Sequence, residues 1–177
     1  MKILNLHGFL GAADNRNYRA LCEFFPAEQI ISPALDYEHT APDDLIAELL
    51  KTASEPDVIL VGQSLGGFYA DHLSRRLQRF CLLTNPCMYP HTLPLITESG
   101  IPQEYVRQYE ARAAYSVNRL SRIICGDADT LLTDNIAVCK TLSKDVRVIP
   151  GGHSSLEALS VHLESALRDV LPKQEHP

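Results

Sequence analysis

The sequence predicts an α/β fold, a doubly wound and mostly parallel six-stranded sheet, on three observations. Short apolar runs alternate with amphipathic stretches along the chain, the pattern of strand-helix-strand units around a parallel sheet. The apolar runs are nearly continuous, which suits strands covered by helices on both faces. No composition shift marks an interdomain linker, so residues 1–177 read as a single domain.

The elements follow in order. Residues 2–6 (KILNL) form the first strand, which ends at His7-Gly8, and residues 17–25 form the first helix. The second strand is 29–32 (QIIS), followed by a helix over 43–53. There Leu45, Ile46, Leu49 and Leu50 share one face while acidic residues crowd the first turn. The third strand, 57–61 (DVILV), runs into a helix over 65–78. The fourth strand, 80–84 (FCLLT), is followed by a long segment without a strand, 86–118. That segment opens with Pro86, Pro90 and Pro94 and continues into a polar, tyrosine-bearing helical stretch. It reads as a small insertion over the carboxyl edge of the sheet, because loops of such length are usually functional. Strands at 120–125 (LSRIIC) and 146–149 (VRVI) flank a helix over 134–143. A last helix over 155–170 carries Leu156, Leu159, Leu163, Leu167 and Val170 at helical spacing, which makes them core.

Composition excludes several classes. The chain is 45% apolar and 21% charged, and a chain of this length buries roughly 70% of its unfolded surface. No apolar run approaches the ~20 residues needed to span a bilayer. The N-terminal MKILNLHGF meets histidine and glycine before a signal-peptide core forms, so a cytoplasmic protein is expected, with no membrane partner. With 16 basic against 22 acidic residues the net charge is −6, which argues against nucleic acid as a partner. The five cysteines, Cys22, Cys81, Cys87, Cys125 and Cys139, form no CxxC pair and read as reduced thiols. No metal or cofactor is expected, and oligomeric state is not legible.

The sharpest motif is Gly62-Gln63-Ser64-Leu65-Gly66, directly after the third strand and directly before a helix. A nucleophile on a sharp strand-to-helix turn has strained backbone angles, and glycines two positions to either side remove side chains that would clash. Gly67 adds room for helix-strand contact. Serine needs a base, and seven histidines are available. His72 and His162 lie within helices, His39 lies in a turn, His91 in the insertion and His176 in the C-terminal tail. His7 ends the first strand. His153 stands apart, because Pro150-Gly151-Gly152-His153 is a glycine-rich loop between the last strand and the last helix. An acid is expected between serine and histidine in chain order, and Cys125-Gly126-Asp127-Ala128-Asp129 offers two carboxylates past the fifth strand. Asp129 is favoured because it reaches further toward the histidine loop, while Asp127 is expected to cap the turn; the choice stays open here. An oxyanion hole requires two backbone donors. These are expected at Leu65, after the nucleophile, and at Phe9, where Gly8 lets the first loop approach.

LNLHGFLG, VGQSLGGFYA, CGDAD and PGGHSS resemble motifs of the alpha/beta-hydrolase superfamily, and within it the compact bacterial YqiA-like esterases. Asn85-Pro86 is also similar. The resemblance runs from Lys2 to about Leu171 and is weak through 86–118. It implies the strand order 2-1-3-4-5-6 and hydrolysis of an acyl ester through an acyl-enzyme. The chain departs from the superfamily pattern in lacking the first antiparallel hairpin and any large cap domain. It also carries serine shortly after the histidine, where that esterase group often has an apolar residue.

The resulting expectation is a serine esterase for small or medium acyl esters or thioesters, with Ser64, Asp129 and His153 as its triad. Two alternatives share the scaffold: a peptidase or carbon–carbon bond hydrolase, and a non-catalytic ligand-binding module. Met88, Tyr89, Leu93, Leu95 and Ile96 of the insertion stand either as an acyl pocket or as packing on the sheet. Cys87 and His91 lie near the expected active edge, as solvated or packed residues.

Overall fold

The computed structural model describes residues 1–170, so His176 and the end of the chain lie outside the described residues. Six strands form one sheet: β1 (Lys2–Leu6), β2 (Ile30–Ile31), β3 (Val58–Gln63), β4 (Cys81–Thr84), β5 (Ser121–Gly126) and β6 (Asp145–Ile149). Their order is β2-β1-β3-β4-β5-β6, and every pairing is parallel. The helices are α1 (Arg16–Leu21), α2 (Pro42–Ala53), α3 (Leu65–Leu77), α4 (Pro94–Thr97), α5 (Gln103–Arg112), α6 (Asn135–Leu142) and α7 (Leu159–Leu167).

Alternation along the strands divides the interior into two apolar layers. Leu4, Leu6, Val58, Leu60, Leu83 and Ile123 face one layer, with the buried residues of α2, α3 and α6. Ile3, Ile59, Val61, Leu82 and Ile124 face the other, with α1 and α7. The helices after β1 and β3 therefore leave on opposite faces of adjacent strands. That leaves a crevice at the carboxyl ends of β1 and β3, where ligands bind in open α/β sheets.

Several elements end elsewhere than their sequence pattern suggests. The first helix stops at Leu21, not at residue 25: Glu23 and Phe24 donate three residues back, to Ala20 and Leu21, in tighter turns, and Phe25, before Pro26, avoids the helical region. Its start is fixed by Asn15, whose side chain accepts the Tyr18 N–H at 2.8 Å. The last helix begins at Leu159, not at residue 155, because Ala158 holds the left-handed conformation with φ 45°. Leu156 reaches the same apolar layer as Leu159, Leu163 and Leu167 from outside the helix.

Segment 86–118 contains a 3-10 turn at Pro90–Thr92 and helices α4 and α5. Helix α5 packs on the first turns of α2 and α3, the helix ends nearest the carboxyl edge of the sheet. Its Tyr109 is fully buried, and its ring meets Tyr69 and Phe68 edge-on. Burial pushes the Tyr109 hydroxyl up to about 12. At the surface, Arg112 donates to both carboxylate oxygens of Asp43 at 2.9 and 3.0 Å. Among the described residues, no helix is long and apolar enough to cross a membrane.

Candidate active site

The turn between β3 and α3 carries Ser64 at φ 51°, ψ −120°, a conformation that L residues seldom adopt. Three backbone hydrogen bonds hold it there. The Ser64 N–H donates to the Thr84 carbonyl at 3.1 Å, and the Ser64 carbonyl accepts from Gly67 and Cys87, both at 2.9 Å. The close approach demands glycine on either side. A Cβ on Gly62 would stand 2.3 Å from the Gly66 carbonyl oxygen, and one on Gly66 would stand 2.2 Å from that of Leu6.

The structure brings Ser64, His153 and Asp129 into one chain of hydrogen bonds. His153 Nε2 lies 2.9 Å from Ser64 Oγ, and Nδ1 lies 2.8 Å from Asp129 Oδ2. A carboxylate only accepts, so Nδ1 carries the proton and Nε2 is free to accept from the serine hydroxyl. The side chain of Asp129 is 4% exposed and that of His153 is 15% exposed. The other carboxylate oxygen, Oδ1, accepts the N–H groups of Leu131 and Leu132 at 2.9 and 3.0 Å, which fixes the carboxylate plane. Asp127 does not cap its own turn. Its Oδ1 accepts the Gly151 N–H at 3.0 Å across the strand ends and so ties down the loop that bears His153. The turn cap expected of Asp127 is made by Asp129.

Phe9, Ser64, His153 and Leu131 line one cleft of about 430 Å³ at the carboxyl edge of β1 and β3. Gly8 lies against the serine, and a Cβ there would fall 2.9 Å from that of Ser64. Among the described residues, the backbone N–H groups of Phe9 and Leu65 make no hydrogen bond within the protein. Leu65 opens α3, where the first N–H groups of a helix have no internal acceptor.

Of the five insertion residues named above, Leu93, Leu95 and Ile96 line the Ser64 cleft. Met88 and Tyr89 line a neighbouring cavity of about 370 Å³ that shares Leu93 and Leu131 with it. Cys87 is buried, and its thiol is pushed up to about 12 by that burial. His39 and Asp36 pair at the surface, 2.9 Å apart, and neither lines the cleft. His72 is held below its ordinary value, first by burial and then by Arg112.

Two residues of the site have no legible role in sequence. Asn85 is fully buried at the end of β4, with φ 40°. Its Nδ2 donates to the carbonyls of His153 at 2.9 Å and Gly152 at 3.2 Å, while its Oδ1 accepts the Gly126 N–H at 2.7 Å. One side chain thus joins the loop of the histidine to the strand that leads to the acid. His7 is likewise buried. Its Nε2 accepts the Leu35 N–H at 2.9 Å, so Nδ1 is the donor to the Gly8 carbonyl at 2.7 Å. Tyr37 adds a hydrogen bond to the His7 carbonyl at 2.5 Å. These contacts shape the loop that presents Phe9. The usable signal was a large polar residue directly past an apolar strand, in the crevice-forming position.

A family model described as an uncharacterised protein family, UPF0227, matches residues 2–124, a span that holds Phe9 and Ser64 but neither Asp129 nor His153. No curated protein matches the chain in sequence. Solved structures do match in shape. Mouse alpha/beta hydrolase domain-containing protein 10 is 18% identical with a TM-score of 0.70, covering 96% of this chain and 88% of that one. Est1E from Butyrivibrio proteoclasticus is 20% identical with a TM-score of 0.67, covering 95% and 86%. The type II thioesterase BorB, from the borrelidin biosynthetic cluster, is 16% identical with a TM-score of 0.58, covering 96% and 88%. At these identities the likeness establishes the alpha/beta-hydrolase fold.

Proposed function

Starting from a chain that belongs to the UPF0227 family and carries the alpha/beta-hydrolase fold, we propose that it is a serine hydrolase of small or medium acyl esters or thioesters. One observation carries the reading: Ser64 Oγ, His153 and Asp129 are joined at 2.9 and 2.8 Å on a strained turn that opens into a cleft. Fold alone would not suffice, since one scaffold hosts many chemistries.

His153 Nε2 takes the Ser64 proton as Oγ attacks the acyl carbon. Asp129, already bonded to Nδ1, steadies the imidazolium that forms. The negative charge on the former carbonyl oxygen is met by the Phe9 and Leu65 N–H groups, which have no other acceptor to give up. His153 then passes its proton to the departing alcohol or thiol, and the acyl group remains on Ser64. Water enters, loses a proton to His153 and attacks the acyl carbon; the acid leaves, and Oγ recovers its hydrogen. Every step uses this chain's own groups.

Ser64→Ala is expected to lower turnover of p-nitrophenyl acetate on the order of 10⁴-fold or more, with folding intact by circular dichroism. A fluorophosphonate probe should label Ser64 in the folded protein. Full activity of the alanine variant, or absence of labelling, would sink the reading.

A further inference from the structure

Three leucines stand at the cleft that holds Ser64, and solvent covers much of each. Leu10 is 69% exposed, Leu95 41% and Leu131 37%. They arrive on three separate segments: the loop after β1, helix α4 and the loop after β5. The other large apolar residues so exposed among the described residues, Met1, Tyr115, Val148 and Val161, do not line this cleft. Exposed leucines are ordinary singly; three lining the one cleft that holds Ser64 are not.

Leu10 sharpens the point. Its φ is 56°, in the left-handed region where glycine or asparagine would be at ease. A leucine held there, with its side chain mostly in solvent, gains little packing within the protein. Backbone outliers of this kind gather where a ligand is gripped. The charged residues of the cleft are engaged with one another or with backbone. Arg19 pairs with Asp14 at 2.7 Å, and Arg16 donates to the carbonyls of Ser154 and Leu156 at 3.2 and 2.6 Å. The surface beside Ser64 left free for a ligand is mostly leucine, with the Gln63 side chain as a polar exception, and Phe9 and Leu93 continue it inward.

We propose that Leu10, Leu95 and Leu131 bind the acyl chain of a medium-length aliphatic ester and set the chain-length preference of the site. The inference rests on the acyl-transfer reading above. Its occupant is the substrate's own hydrocarbon arm, because the leucines are continuous with the cleft of the nucleophile.

The test compares kcat/KM for p-nitrophenyl acetate, octanoate and palmitate, all below their micelle-forming concentrations. Octanoate should exceed both others: acetate has no hydrocarbon arm to cover the leucines, and the arm of palmitate alone would take up most of a cleft of about 430 Å³ that must also seat the reacting ester. Leu95→Ser and Leu131→Ser should each lower the octanoate-to-acetate ratio about three- to tenfold, and the double variant should lower it further. Leu10→Asn, which keeps a residue at ease with positive φ, should do the same. Val161→Ser, an exposed site on α7, should leave the ratio unchanged. A ratio unmoved by the leucine variants, with acetate still hydrolysed, overturns this inference alone. Absence of turnover on every ester overturns it together with the proposed activity. A leucine effect seen only on phosphatidylcholine vesicles would mark a lipid-docking surface and overturn the acyl-chain assignment.

Discussion

Asp129 and Asp127 stand two residues apart, yet one bonds a side chain and the other a backbone. Asp129→Asn leaves an isosteric group but no longer imposes the Nδ1–H tautomer on His153, and kcat is expected to fall about 10³–10⁴-fold. Asp127→Ala removes only the anchor on Gly151 and should cost about tenfold. Ester hydrolysis by the two purified variants decides; equal losses would contradict this division of roles. Asn85→Ala strands the Gly126 N–H and the carbonyls of Gly152 and His153 in a buried place, at about 1–3 kcal/mol for a group left unpaired. It should lower kcat more than it changes KM, because it displaces His153, the proposed base, and leaves the leucines of the cleft untouched. Urea denaturation with steady-state kinetics checks both halves. Ser64 and His153 were legible because a strained turn and a glycine-rich loop leave marks on neighbouring residues. Asn85 showed only as a polar residue past an apolar strand, and its role stayed hidden because its bonds reach main-chain carbonyls 67 and 68 residues along the chain.

Among the elements, the inner strands β1, β3, β4 and β5 were readable because apolar runs report burial on both faces, whereas β6, at the sheet edge, is mostly exposed and was legible only through Val146, Val148 and Ile149. Helix ends were not, because single conformations such as that of Ala158 decide them. The insertion was the hardest to read, because one tyrosine in a polar helix is all of α5 that is fully buried, with Tyr105 and Val106 only partly buried against the core. Tyr109 is fully buried among Tyr69 and Phe68, whereas both partners of the Arg112–Asp43 pair are over 40% exposed. Tyr109→Ala should therefore destabilise by about 3–5 kcal/mol, and Arg112→Ala by less than about 1 kcal/mol. Urea midpoints measure both, and a larger effect at Arg112 would refute the ranking. The Arg112 guanidinium holds the Asp43 carboxyl below its ordinary value. The pair's small contribution is thus present above the ordinary carboxylate range and is lost as pH falls through the lowered value.

For the molecule as a whole, free thiols report the integrity of the packing. Cys22 is exposed, while Cys81, Cys87, Cys125 and Cys139 are buried. Iodoacetamide should add one group to the native protein, at Cys22, and five in urea, as read by intact mass. Several adducts in the native state would contradict the packing around β4 and β5. Strand β4 matters beyond its place in the sheet. Its last residue, Thr84, and the next three reach the serine turn through Thr84 and Cys87 and the histidine loop through Asn85. Ser64 and His153, the proposed nucleophile and base, are thereby suspended from one short tether. A sample in which that tether has slackened should therefore lose Vmax while its KM stands nearly still, because both groups shift together and the leucines of the cleft stay in place.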